Sequence, residues 1–439
     1  MHRKLPWLLL SLGLVSLGIV VGAEPEVVDE PDSVIVSPAV QDSMSALAAD
    51  PRIQNSLAHV VAMESQLLSD LIELTEIPAP PFAEDKRAER FAAMLHASGL
   101  SDVAIDEVGN VIGRRPGRSG NRVIAYSAHL DTVFPADTDV TVRVNGDTLF
   151  APGIGDNTRG LVVVLGVLRA LQHAAIETNA DILFIGNVGE EGLGDLRGVK
   201  HLFREGGPQI DRLIAVDGGE TGRIIYGGVG SHRYRVTFAG PGGHSWGAFG
   251  TANPHHALGR AIANFSEQAP IVTESGEKTS FSVGRIGGGT SINSIPFESW
   301  MEVDMRSGDQ AKLDEIDAVL QRAVQDALAA ENAARTEGDE LTVDVKRVGT
   351  RPAARGDRDS QLAQHAAAAM HELGIESDID ISSTDANHPL SIGVPAITMS
   401  RGGNSDDSHS PAESWQNVDS HLAIQIGLLT LLAEAGYVR

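Results

Sequence analysis

The chain has no cysteine among its 439 residues. That excludes disulfides, a thiol nucleophile, thiolate metal ligands and a lipid-modified N-terminal cysteine. Positive charge is scarce: 34 Lys and Arg stand against 59 Asp and Glu, for a formal net charge of −25. Such a balance argues against nucleic acid or an anionic membrane surface as partner, and otherwise serves solubility. Aromatic residues make up only 4%, although hydrophobic residues at 42% suffice for real cores. There is no internal repeat and no low-complexity tract. Glycine is plentiful at 47 residues, as expected where tight turns and loops carry the chemistry.

The length exceeds one ordinary core, so two domains are expected. Arg3 and Lys4 precede a mostly apolar run from Leu5 to Val21, and Val21-Gly22-Ala23 offers small residues at a cleavage position. Residues 1–23 read as a signal peptide cut before Glu24, which predicts export to the periplasm or beyond; left uncleaved, the run is a membrane anchor. Residues 24–45 begin Pro-rich and acidic (EPEVVDEPDSVIV) and are expected to form a linker.

Apolar runs that alternate with helical periods follow. Val103–Ile105, Val111–Ile112, Arg122–Tyr126, Asp181–Ile185 and Leu213–Val216 read as strands, and Glu84–Ser98, Leu161–Ala175 and Val199–Arg204 as helices. This predicts an α/β fold, a doubly wound and mostly parallel sheet. From residue 229 to 349 the order becomes β-α-β-β-α-β, which suits a four-stranded antiparallel sheet of ferredoxin-like type. Residues 350–439 return to the first pattern, with helix Ser360–Leu373, strand Ala396–Met399 and a final helix from about Val418 to Ala435. The economical arrangement is a catalytic domain of 46–228 and 350–439 interrupted by a lid of 229–349.

His129, Asp156, Glu191, Asp217 and His409 are metal-ligand types in a telling order, within SAHLDTVFP, GIGDNTRG, GNVGEEGLGD, IAVDGGE and DSHSPAESW. His129, Glu190-Glu191 and Asp217 each follow directly on a predicted strand, where open α/β sheets assemble their sites. Taken singly, Asp156 fits a helix N-cap and Asp217 an ordinary strand end. Adjacent Glu190 and Glu191, however, repel each other in an apolar segment unless cations neutralise one of them. Oxygen and imidazole donors without thiolate suit Zn²⁺, with Co²⁺ or Mn²⁺ as substitutes. Two divalent ions, the carboxylates of Asp156, Glu191 and Asp217, and one bridging hydroxide sum to zero charge. Glu190 then serves as the base that takes a proton from a water between the ions.

These segments resemble the metallopeptidase family that includes carboxypeptidase G, peptidase T, aminoacylase, acetylornithine deacetylase and succinyl-diaminopimelate desuccinylase. The similarity runs from about residue 50 to 437, and STDANHPLSIGVPAI (383–397) with RGG and HSPAESW looks closest to the peptidase T-like branch. The resemblance implies one ion on Asp156, Glu191 and His409 and the other on His129, Asp156 and Asp217. It also implies that Asp131 orients His129 and that Glu190 is the general base. His244 in GPGGHSWGA would polarise the oxyanion, often across a homodimer formed through the lid, and Asn293 and Arg306 would hold a substrate carboxylate. The bridging motif, usually Asp-Asp-Lys-Gly, reads Asp156-Asn157-Thr158-Arg159-Gly160 here, which keeps the ligand and changes its neighbours. The expected reaction is hydrolysis of short peptides by an exopeptidase, with N-acyl amino acids as the alternative substrate. A lidless zinc aminopeptidase shares the ligand order but does not need the long β/α unit between Asp217 and His409. A binding protein that had lost catalysis would have lost Glu190 or a ligand, and every one is present.

Overall fold

The computed structural model describes residues 33–438. The signal peptide expected at 1–23, and the linker as far as residue 32, lie outside the described residues. The linker does not extend to residue 45. Pro38–Ala48 is a helix with proline in its first turn, where a missing N–H costs nothing. Met44, Leu47 and Ala48 bury one face of it, and Gln41 and Ser45 donate to Glu372 on helix Gln361–Glu372. Local composition pointed to a coil; a tertiary partner supplies what the segment needs to become helical.

The main sheet runs Asp102–Ile105, Val111–Arg115, Asp181–Asn187, Val123–His129, Arg212–Val216, Ala396–Met399, Arg223–Gly228, Ala354–Arg355, with Asp378–Ser382 also beside Arg223–Gly228. The middle four strands, 181–187, 123–129, 212–216 and 396–399, are mutually parallel, and antiparallel strands flank them. The parallel strands are buried almost throughout, as a sheet covered on both faces demands. Helix Gly160–His173 is apolar nearly all round because it lies inside the core. Gly166 on it meets Ile424 of helix His421–Ala435 so closely that a Cβ would sit 2.7 Å from Ile424 Cδ1.

Residues 230–351 build a second sheet in the order Thr279–Gly288, Glu298–Ser307, Gly230–Ala239, Thr342–Arg351, antiparallel throughout. Helices Pro254–Gln268 and Gln310–Ala334, capped by Asn253 and Asp309, cover it and share its own core of Val236, Phe238, Met301, Met305 and Leu320. The fold is therefore α/β with a parallel-centred sheet and an α+β lid, as the alternation of periods predicted.

Candidate metal centre

Four adjacent parallel strands deliver the centre. Strand 123–129 ends on His129, strand 181–187 leads into Glu190 and Glu191, strand 212–216 into Asp217, and strand 396–399 into Arg401. Asp156 comes from a kinked turn before helix Gly160–His173, and its peptide bond to Asn157 is cis. A small sheet, Asn404–Asp406, Ser414–Gln416, Thr148–Phe150 and Arg143–Asn145, holds this turn next to the His409 loop. Glu413, fully buried, clamps the turn by accepting from the N–H groups of Gly153, Gly155 and Asp156 at 2.8, 3.0 and 2.9 Å.

Asp156 presents its two oxygens to two different imidazoles. Its Oδ1 lies 3.4 Å from His129 Nε2, which is 4.0 Å from Asp217 Oδ2. Its Oδ2 lies 3.2 Å from His409 Nε2, which is 2.9 Å from Glu191 Oε1. Two ligands each about 2.0–2.2 Å from one Zn²⁺ can be at most about 4.4 Å apart, so each of these separations can be spanned by an ion. His129, Asp156 and Glu191 each offer a donor atom within 4.8 Å of the others. His129 Nε2 is buried and has no hydrogen-bond partner, a costly state for a polar atom unless something binds there. The donor set and this orphaned nitrogen fit a bound divalent ion.

The surroundings orient these donors. His129 Nδ1 hydrogen-bonds the Asp131 carbonyl at 3.0 Å and lies 3.6 Å from Asp131 Oδ1, which directs Nε2 toward Asp156. The Asp131 carboxylate in turn accepts from the Glu190 and Glu191 N–H groups at 3.0 and 2.7 Å. Burial, with Asp156 close by, pushes Asp217 up to about 6. Hydrogen bonds to Asp156 and Glu191 push His409 up to about 10. Burial alone would raise Asp156, yet Arg401, His129 and His409 hold it well below the usual carboxylate range. Burial drives Glu190 well above that range against the pull of Arg351, with Glu191 adding to the rise. Asp217 and Glu190 are thus short of local positive charge, which a bound ion would provide.

Several residues of the centre carry no signal in the sequence. Arg351, at the end of the last lid strand, donates to Glu190 Oε1 and Ser383 Oγ at 2.6 and 2.9 Å, and to the Glu190 carbonyl. Arg401 Nη1 lies 3.3 Å from Asp156 Oδ1 and 3.4 Å from Asp217 Oδ1. Arg401 lies in the RGG segment and Glu413 in HSPAESW, where a buried acid after a proline turn is a usable hint, but neither segment shows which carboxylate or turn its side chain meets.

A cavity of about 230 Å³ opens on Asp156, Glu190, Glu191, Asp217 and His409, and Arg223, Arg233, Arg306 and Arg351 line it too. Arg233 and Arg306 both bond Asp304, at 2.9 and 2.8 Å, so one carboxylate serves two guanidinium groups. Arg306 therefore reaches the cavity that holds the acidic cluster. His244 and Asn293 do not line it: they are exposed on the short strand pair Gly243–His244 and Ser294–Ile295 and the turn before it. Trp246, Phe249 and Ile292 project around them, 88%, 82% and 103% exposed.

The sequence profile of peptidase family M20/M25/M40 matches residues 125–435. A Pyrococcus abyssi protein named as a LysW-lysine/LysW-ornithine hydrolase is 38% identical over 122 residues, 28% of this chain; the chain spans only 32% of that protein's length. Carboxypeptidase G2 of a Pseudomonas species is 25% identical over 300 residues, 66% of this chain and 68% of that protein. The crystal structure of aminopeptidase PepT from Bacillus cereus superposes with a TM-score of 0.67 at 20% identity, covering 84% of this chain and 98% of that one. With about seven-tenths of its length matched, the chain belongs to peptidase family M20/M25/M40, a metallopeptidase family.

Proposed function

We propose that this protein hydrolyses the amide bond of short peptides that carry a free carboxylate, using two divalent ions, Zn²⁺ foremost. The observation that carries this reading is the opposed presentation of the two Asp156 oxygens, Oδ1 toward His129 and Oδ2 toward His409. Asp156, Glu191 and His409 would hold one ion, and Asp156, His129 and Asp217 the other. When bound, the ions acidify water and polarise the scissile carbonyl. Arg351 fixes Glu190 Oε1, which leaves Oε2 to take the proton of the attacking water and pass it to the leaving amine. The elevated pKa of Glu190 suits a base that must return its proton.

The cavity is smaller than pockets for drug-sized ligands, which favours one or two residues over a long chain. The second guanidinium on Asp304 supplies positive charge for a substrate carboxylate, and Arg306, being half-exposed, is the group that meets it. The named activities of PepT and carboxypeptidase G2 agree with a peptide substrate. An N-acyl amino acid presents the same amide and carboxylate, and product analysis separates the two. His244 and Asn293, ringed by exposed Trp246, Phe249 and Ile292, would serve the centre of a second copy in a homodimer.

The decisive experiment is mass spectrometry of products from di- and tripeptides and N-acyl amino acids, with Zn²⁺-loaded protein, chelated protein and Glu190→Gln side by side. Cleavage is expected only in the first sample, with metal content unchanged in Glu190→Gln. Turnover that survives both chelation and the substitution would overturn the mechanism.

A further inference from the structure

Among the buried charges around the centre, Arg401 has no part in the chemistry just described. It follows the strand next to the one that ends at Asp217, and helix-borne Arg159 donates to its carbonyl at 3.2 Å. Its side chain is buried and does not line the cavity, so it does not meet a substrate. Its Nε is buried without a hydrogen-bond partner, while Nη1 reaches the Oδ1 atoms of both Asp156 and Asp217. Those are the two carboxylates shared with His129. On the other side Arg401 Nη2 donates to Ser408 Oγ at 3.4 Å, next to His409 in the chain, while its contacts to ligand carboxylates are those to Asp156 and Asp217.

This asymmetry has an electrostatic consequence. A guanidinium cannot shed its proton in a protein, so Arg401 is a permanent unit charge beside two of three ligands of one ion. Two divalent ions, the carboxylates of Asp156, Glu191 and Asp217 and one hydroxide already sum to zero, so Arg401 adds a positive charge in excess. In a buried centre such an excess is only weakly screened.

We propose that Arg401 is a resident cation that weakens the His129/Asp156/Asp217 site, so the two ions load in sequence, Glu191/Asp156/His409 first. The inference rests on the two-ion reading above and adds to it a regulation: the second ion tracks the free metal concentration, and the first is retained.

The test is equilibrium Zn²⁺ titration of the chelated full chain, by calorimetry and by competition with a chromophoric chelator. Wild type should show two events with dissociation constants at least about tenfold apart. His129→Ala should delete the weaker event and His409→Ala the tighter one. Arg401→Met should tighten the weaker event on the order of tenfold or more, and Arg401→Lys, which keeps the charge, should not. Arg401→Gln gives a second neutral variant if the methionine protein does not fold. Equal constants in wild type, or a neutral variant that leaves the weaker event unchanged or weakens it further, would overturn the inference. In the last case Arg401 orients the carboxylates instead. Absence of any stoichiometric binding would sink the two-ion reading itself, a different and distinguishable failure.

Discussion

Two buried clusters of charge in this molecule look alike in composition and behave oppositely. In the lid, Asp317 Oδ2 accepts from His232 Nδ1, Tyr234 OH and Arg347 Nη2 at 2.8, 2.7 and 2.6 Å, and Oδ1 from Gln321 at 3.1 Å. One carboxylate is surrounded by donors, and despite partial burial its pKa falls to about 2. In the candidate metal centre five carboxylates, Asp131, Asp156, Glu190, Glu191 and Asp217, face two arginines, Arg351 and Arg401; Asp217 is pushed up to about 6, and His129 Nε2 is orphaned. A saturated network stabilises a fold; an unsaturated one waits for a ligand. Counting acids and histidines does not separate the two, whereas asking which polar atoms lack partners does.

Substitutions in the two clusters should pull stability and activity apart. The largest effect is expected at Asp156, the ligand proposed to be shared by the two ions. Asp156→Ala should cut kcat/KM by about 10³-fold or more, since both ions lose a donor, while the melting temperature of the chelated protein changes little. A large drop in the melting temperature of the chelated variant would mean that Asp156 is structural first. Next in size is ligand stabilisation: Zn²⁺ at about a hundred times its dissociation constant should add about 2.7 kcal/mol to unfolding, and this gain should vanish in Asp156→Ala. Calorimetric melts with and without the ion decide it.

The lid cluster should answer in the reverse sense. Asp317→Asn is expected to cost about 1–2 kcal/mol of stability at pH 7 and to leave Zn²⁺ affinity unchanged. The folded pKa of Asp317 lies below its unfolded value, so its contribution is complete above about pH 4 and disappears as pH falls through about 2. Denaturant midpoints of wild type and variant should therefore converge toward pH 2; a gap that stays constant with pH would refute the assignment. Smallest is Arg306→Ala, which should raise KM about tenfold for peptides with a free carboxylate and leave their amidated counterparts unaffected. Equal effects on both would remove Arg306 from carboxylate recognition.

Much of this was legible along the chain. Strand ends are marked by apolar runs that stop at a polar residue, and three ligand segments sit at such ends: His129, Glu190-Glu191 and Asp217. The lid was legible because alternation of period 2 with helical periods survives in strands covered on one face, as in Gly230–Ala239. Strands Arg223–Gly228 and Asp378–Ser382 were not, since the first has only a short apolar run before it ends in two glycines and aspartates alternate through the second. Helix Pro38–Ala48 was hidden for a related reason: its stability comes from helix Gln361–Glu372, far away in sequence.

The arginines mark the boundary between what could be read and what could not. Ligand types at strand ends are set locally, by hydrophobic pattern and turn chemistry, so the sequence by itself determined the α/β frame, the lid and the acid-rich cluster. Which cation meets which carboxylate is a matter of position in space. Arg351 reaches Glu190, Arg401 reaches Asp156 and Asp217, and Arg233 reaches the Gly192 carbonyl only because sheet order and lid placement bring distant segments within hydrogen-bond range. Electrostatic energy depends on those distances and on burial, and neither is a property of a one-dimensional string. The tertiary structure alone decided that His244 and Asn293 stand outside the cavity while Arg306 lines it.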